Sequence, residues 1–273
     1  MNPPEPQKVR IRGHDLAFHR QGKGSPVLLV HGITTYSFIW RKILPALAER
    51  HDVVAVDLLG CGRSDKPLDI SYSIASHVEL LAELADKLGF GPFAFIGHDI
   101  GGGIAQRFAV LHPDRLTHAA VVNGVAYDFW PVQPIIAMRT PIIRQMAMAT
   151  LDFGAFKLIV KRGVYHKERV GPQLMEHFWM PMATREGRKG FLHFAESLDN
   201  RDLMSVAEDL KLTKVPFLIV RGTEDVYLSA EISDRLHREI PGSRLVEIPQ
   251  AGHFIQEDQP ELLAQVLGDF IGG

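Results

Sequence analysis

Residues 95–106 read FIGHDIGGGIAQ, from Phe95 to Gln106. The apolar run Phe93-Ala94-Phe95-Ile96 leads into Gly97, and a helical pattern starts a few residues later. The turn between them, Gly97-His98-Asp99-Ile100-Gly101, has the G-x-S-x-G shape that presents a nucleophilic serine on a strand-to-helix elbow. Here aspartate stands in the serine's place. A sharp elbow needs small neighbours, and Gly97, Gly101, Gly102 and Gly103 supply them. The helix N-terminus offers N–H groups and a positive dipole end, so Asp99 is expected as an anion. An aspartate that merely caps the helix is the alternative reading; the glycine frame favours a nucleophile.

A carboxylate in that position suits attack on an alkyl carbon, which leaves an ester between substrate and enzyme. A second step must hydrolyse the ester, so a base for water and an acid to orient the base are needed. With an elbow of this kind they follow the nucleophile in the order acid, then histidine. Val220-Arg221-Gly222-Thr223-Glu224-Asp225 puts Asp225 in the loop after one apolar run, and Ala251-Gly252-His253-Phe254 puts His253 in the loop after the next. The G-x-x-D spacing favours Asp225 over Glu224. His31-Gly32-Ile33 ends an earlier run. The backbone N–H groups of Ile33 and Ile100 are expected to form an oxyanion hole, which in the second step holds the oxyanion on the Asp99 carbonyl. His98 is expected to point away from the nucleophile and pack. The Asp57–Ser64 loop lacks the third glycine of a dinucleotide fingerprint and reads as structural.

Working outward, short apolar runs alternate with helical patterns. Lys8–Arg12 and Leu16–Arg20 read as a hairpin with Gly13-His14-Asp15 at the turn. Pro26–Val30, Val53–Asp57, Phe93–Gly97 and His118–Asn123 read as strands; Phe38–Ala48, Ile74–Leu88 and Gly101–Leu111 read as helices. The rhythm stops between about Asp128 and Leu212, a stretch of helical patterns with Trp130, Trp179 and many methionines. It resumes with strands at Val215–Arg221 and Leu245–Ile248 and helices at Ala230–Glu239 and Leu262–Phe270. Repeated strand–helix units predict an α/β fold, a mainly parallel sheet with helices on both faces. The interruption predicts a helical cap over the sheet's ligand-binding edge. The expected division is a core of residues 1–127 and 213–273 and a cap of residues 128–212.

Bulk properties agree. At 273 residues the chain is long enough for one large domain with an insertion. A net charge of −2 argues against a nucleic-acid binder. One cysteine, Cys61, allows no internal disulfide, which fits a reducing compartment. The opening MNPPEPQKVR has no apolar core of a secretory signal, and no run approaches the roughly 18 apolar residues of a membrane span. A cytoplasmic protein is expected, with no membrane partner and with room for a homodimer. No zinc-binding or P-loop motif occurs, so neither metal nor nucleotide cofactor is expected.

These residues together resemble the α/β-hydrolase superfamily over essentially the whole chain. The resemblance rests on His31-Gly32, on D-x-x-G-x-G-x-S at 57–64, on Gly97–Gly101, on G-x-x-D at 222–225 and on Gly252-His253-Phe254. The aspartate elbow is similar to that of the epoxide hydrolase and dehalogenase branches, which implies two-step ester chemistry without a cofactor. Haloalkane dehalogenases usually hold the halide with an Asn after the H-G pair and a Trp after the nucleophile. Here Ile33 and Ile100 stand in those places. Fluoroacetate dehalogenases place an arginine where Ile100 stands. Epoxide hydrolases need an O–H to protonate the opening ring, usually two cap tyrosines. This chain departs from them as well: Thr34 replaces the proline of H-G-x-P, and the expected cap contains only Tyr165.

The resemblance therefore implies an epoxide hydrolase acting on small apolar epoxides and yielding vicinal diols. Asp99 is the nucleophile, His253 the base and Asp225 its partner. Tyr165 is the expected ring-opening acid, with His177 as a second donor. Tyr36, Trp130 and Trp179 are expected with His177 around the substrate. Haloalkane dehalogenation by the same triad, and ester or lactone hydrolysis, are the alternatives. A binding protein that kept the fold without turnover is a fourth reading, disfavoured by the intact triad.

Overall fold

The computed structural model describes residues 5–130 and 153–272. Met138, Met146 and Met148 of the expected cap lie outside the described residues.

The most apolar runs of the chain meet at the centre of one sheet. Ser25–Val30 (β3) and Phe93–Asp99 (β5) pair in parallel, and every residue of β5 is buried. A strand covered on both faces has no polar side to show, which is why these runs are continuous rather than alternating. Around them the order is β1-β2-β4-β3-β5-β6-β7-β8, an eight-stranded sheet among the described residues. The others are β1 (Gln7–Ile11), β2 (His14–Gln21), β4 (His51–Val56), β6 (Leu116–Gly124), β7 (Phe217–Gly222) and β8 (Arg244–Ile248). Only the β1–β2 and β2–β4 pairings are antiparallel. The α/β-hydrolase arrangement expected from the sequence is the one observed.

The opening hairpin turns one step earlier than its sequence suggests. His14 and Asp15 already pair with Ile11 and Arg10, so the turn is Arg12-Gly13 alone. Both have positive φ, +49° and +87°, the two-residue geometry whose twist matches the flanking strands. The helix expected over 38–48 is instead two short pieces, Ser37–Trp40 and Leu44–Leu47. Pro45 lacks an N–H and cannot continue a helical ladder.

Helix α1 (Ile74–Lys87) starts where the Ser73 side chain accepts the Ser76 N–H, and stops at Gly89, whose φ is +72°. Helix α2 (Ile100–Leu111) leaves the elbow and packs on β5, β6 and α1. Between β6 and β7 the described residues form helices only. They are α3 (Phe153–Gly163), α4 (Pro172–Trp179), α5 (Arg185–Ser197) and four short turns, Lys167–Arg169, Met180–Met182, Arg201–Met204 and Ala207–Leu210. Their buried side chains, among them Phe156, Met175, Phe178 and Phe194, join the same apolar core as the sheet. The chain closes with α6 (Ala230–Glu239) and α7 (Pro260–Ile271). No helix among the described residues is long and apolar enough to cross a membrane.

Candidate active site

The end of β5 and the start of α2 meet at Asp99, whose φ of +53° and ψ of −117° lie outside the ordinary regions for a residue with a side chain. Such a conformation is costly and persists where surrounding structure enforces it. The enforcement here is close packing. A Cβ on Gly97 would collide with the Gly101 carbonyl, and one on Gly101 with the Val30 carbonyl. A Cβ on Gly32 would strike the Asp99 carboxylate itself. The glycines read from the sequence therefore let three backbone segments converge on one side chain.

Asp99 is 8% exposed. Its Oδ2 accepts the Ile33 N–H at 3.1 Å, and the Ile100 N–H opens the helix beside the carboxylate. Of the two N–H groups expected around Asp99, that of Ile33 is hydrogen-bonded to it. The Ile33 loop is fixed by His31: its Nε2 accepts the Leu58 N–H at 2.9 Å, so Nδ1 carries the proton and donates to the Gly32 carbonyl at 2.7 Å. Burial holds that imidazole below its usual range, consistent with the neutral tautomer these bonds require. Burial pushes the Asp99 carboxyl up, and the charge of His253 and the two N–H groups oppose this without cancelling it. The sequence expectation of an anion held by the helix end thus meets an opposing desolvation, which dominates.

Asp225 and His253 come together as read. His253 Nδ1 lies 3.0 Å from Asp225 Oδ2. The other carboxylate oxygen accepts the N–H groups of Tyr227 at 2.8 Å and Leu228 at 3.1 Å. The acid's orientation is therefore set by its own loop. Glu224, the rejected neighbour, is exposed.

His98 does more than pack. It is buried, its ring sits 4.8 Å from that of His253, and its Nε2 donates to the His253 carbonyl at 2.9 Å. Burial, with the nearby His253, pushes its pKa down to about 3, so it serves as a neutral donor.

Asn123, at the end of β6, was not singled out from the sequence. Its Nδ2 donates to the carbonyls of Gly252 at 2.9 Å and His253 at 3.0 Å, and its Oδ1 accepts the Gly222 N–H at 2.9 Å. One amide thus spans the acid loop and the base loop. The readable signal was a polar residue closing an apolar strand at the elbow's edge of the sheet. Tyr227 was also missed. Its ring meets His253 edge-on at 5.4 Å, and its hydroxyl donates to the Ile159 carbonyl at 2.7 Å.

The remaining expected site residues are less uniform. Tyr36 is buried and packs on Phe38 at 4.6 Å. Phe38 stacks on His177 at 5.6 Å and meets Phe178 edge-on, and Phe178 meets Phe254 beside the base. Tyr36 and His177 thus belong to one aromatic wall that reaches the triad. Trp130 is buried, and its indole N–H has no partner among the described residues. Trp179 is half-buried between Phe153 and Phe156. Tyr165, the expected ring-opening acid, is 42% exposed, with its ring edge-on to His166. Its backbone N–H is bound inward to Asp258, while the ring stands at the surface. No group of three or more His, Cys, Asp or Glu that could hold a metal exists among the described residues.

A family model described as alpha/beta hydrolase fold matches residues 25–260. The chain belongs to the α/β-hydrolase family. Haloalkane dehalogenase 2 of Mycobacterium tuberculosis is 33% identical to this hydrolase over 92% of the chain and 90% of that protein. The cis-3-alkyl-4-alkyloxetan-2-one decarboxylase of Shewanella oneidensis is 28% identical over 90% of the chain and 81% of that protein. In three dimensions the chain is similar to an α/β-hydrolase-fold protein from Burkholderia ambifaria. That match has a TM-score of 0.88 and 26% identity, covering 96% of this chain and 97% of the other.

Proposed function

We propose that this hydrolase cleaves small apolar substrates at an alkyl carbon through a covalent ester on Asp99. The observation that carries the reading is a carboxylate on the strained elbow, held by the N–H group of Ile33 and sharing one site with Asp225–His253. Asp99 attacks the carbon and the leaving group departs. His253, aligned by Asp225, takes a proton from water, which attacks the ester carbonyl. The Ile33 and Ile100 N–H groups then hold the oxyanion on Asp99. The helices described between β6 and β7 serve as a cap that excludes bulk water.

The leaving group favoured by the site is an epoxide oxygen, and the product a diol. Ile33 and Ile100 are buried and carry no side-chain N–H, so these two positions offer a departing halide no side-chain donor. With Tyr165 at the surface, His177 is the remaining donor expected from the sequence. It is half-buried against Phe38 in the aromatic wall. The second reading is haloalkane dehalogenation. It is supported by the 33% identity to the mycobacterial dehalogenase and by the indole N–H of Trp130, which has no partner among the described residues. A panel of epoxides and bromoalkanes assayed side by side separates them. Diol formation without halide release supports the first reading. Halide release without epoxide turnover supports the second and removes the first.

A further inference from the structure

Just beyond the base, the short helical turn Ile255–Asp258 ends in two adjacent buried carboxylates, Glu257 at 2% and Asp258 at 1% exposure. They face different partners. Glu257 takes the Arg41 guanidinium at 2.5 and 3.0 Å and the Lys42 ammonium at 2.8 Å. Asp258 takes backbone N–H groups from two segments far apart in sequence. Its Oδ2 accepts from Gly252 and from Tyr165, each at 2.8 Å, and its Oδ1 accepts from His166 at 2.9 Å.

Three neighbouring contacts tighten the same junction. The Phe254 N–H donates to the Gly163 carbonyl at 3.0 Å. Arg169 Nη1 donates to the Asp258 carbonyl at 2.5 Å. A Cβ on Gly252 would meet the Gly163 carbonyl at 2.6 Å, so the base loop and the end of α3 touch backbone to backbone. Bonds from a buried carboxylate to N–H groups are charge-assisted and strong. Because they grip the main chain, they set the path of the loop rather than the rotamer of one side chain.

We propose that Asp258 is a positioning residue for the hydrolytic step. It fastens the His253 loop to the end of α3, at Gly163–His166, so that the aim of the base depends on the helices between β6 and β7 being seated. Gly252 immediately precedes His253, so freeing its N–H lets the imidazole drift. A displacement of about 1 Å at a catalytic group can cost about a hundredfold in rate. Attack by Asp99 does not use His253, so the first step is spared. The role in catalysis rests on the covalent-ester reading of Asp99; the physical coupling does not.

The experiment combines amide exchange with intact-protein mass spectrometry on the full chain, using Asp258→Asn, with Glu257→Gln as a control for loss of a buried carboxylate. Asn replaces one accepting oxygen with an NH2 group that faces N–H donors. Exchange at Gly252, Tyr165 and His166 should rise together by about tenfold in Asp258→Asn and change less than about twofold in Glu257→Gln. Equal effects of the two variants, or a rise on one segment alone, would overturn the coupling. Should Asp258→Asn fail to fold, the wild type decides: the three amides exchange with one common protection, and separate protections reject the proposal. With styrene oxide and n-hexyl bromide as probes, Asp258→Asn should accumulate the Asp99 adduct with decay slowed about tenfold or more and formation nearly unchanged. His253→Gln is the reference. If it traps no adduct, the covalent reading fails, and the coupling is judged on exchange alone. If it traps adduct and Asp258→Asn does not, the positioning role fails.

Discussion

His253 Nδ1 lies 3.0 Å from Asp225 Oδ2, and the two side chains are only 7% and 1% exposed. Burial alone would push the imidazole down. The charge and hydrogen bond of Asp225, with the charge of Asp99, outweigh it, and the net direction is upward from 6.5. For Asp225, burial pushes upward, but His253 and the N–H groups of Tyr227 and Leu228 bring it below 3.8. A base must be neutral to accept a proton from water. Hydrolysis of the ester should therefore weaken as pH falls and His253 takes up a proton, with Asp225 alone opposing burial once Asp99 is esterified and uncharged. Asp225→Asn removes the carboxylate, so its acid limb should move to lower pH. Single-turnover decay of the adduct across pH is the measurement, and an unmoved limb would speak against the pair.

Asp99 gives a second pH dependence and a stability effect. Burial lifts its carboxyl above 3.8, and attack needs the anion. Adduct formation should fall with acid at its own, separately measured limb. An acid whose folded pKa is raised contributes stability at low pH, and that contribution is lost as pH rises through the folded value. At neutral pH, Asp99→Asn should therefore raise Tm while lowering kcat about a thousandfold or more with substrate binding kept. Calorimetry and steady-state kinetics on the same preparation check both. A variant with full activity would remove the nucleophile.

Gly97→Ala tests the elbow. The added methyl has nowhere to go except into the Gly101 carbonyl. Destabilisation of on the order of 3 kcal/mol is expected from overpacking against backbone. Urea unfolding measures it, and a change below about 0.5 kcal/mol would mean the glycine frame is not what enforces Asp99.

The fold and the triad were legible because their constraints are local. Glycines at 97, 101, 102 and 103, an apolar run before them, and G-x-x-D and G-H-F after later runs each demand a particular backbone. Asn123 and Asp258 escaped notice for the opposite reason. The Asn123 amide binds N–H and carbonyl groups, and the Asp258 carboxylate N–H groups, of segments distant in sequence, and a polar side chain bound only to backbone leaves no spacing to read. Tyr165 was chosen because its residue type suited the chemistry, and its surface place could not be read. Its position depends on Asp258 drawing the local main chain inward, which no pattern in residues 160–170 announces.

The substrate question rests on the two buried isoleucines. Ile33→Asn with Ile100→Trp would place side-chain N–H donors beside Asp99. If a missing halide donor limits dehalogenation, the ratio of haloalkane to epoxide turnover in the double variant should rise about tenfold or more. Competition assays with both substrates present give the ratio directly, and an unchanged ratio would show that the leaving group is stabilised elsewhere.

The central claim is that the oxygen added to substrate comes from Asp99 and not directly from water. The measurement is one turnover in heavy-oxygen water with enzyme in excess over substrate, followed by mass analysis of the product and of the peptide containing Asp99. The account predicts unlabelled product on that turnover and heavy oxygen in the Asp99 carboxylate. Label in the product with none in Asp99 would contradict it.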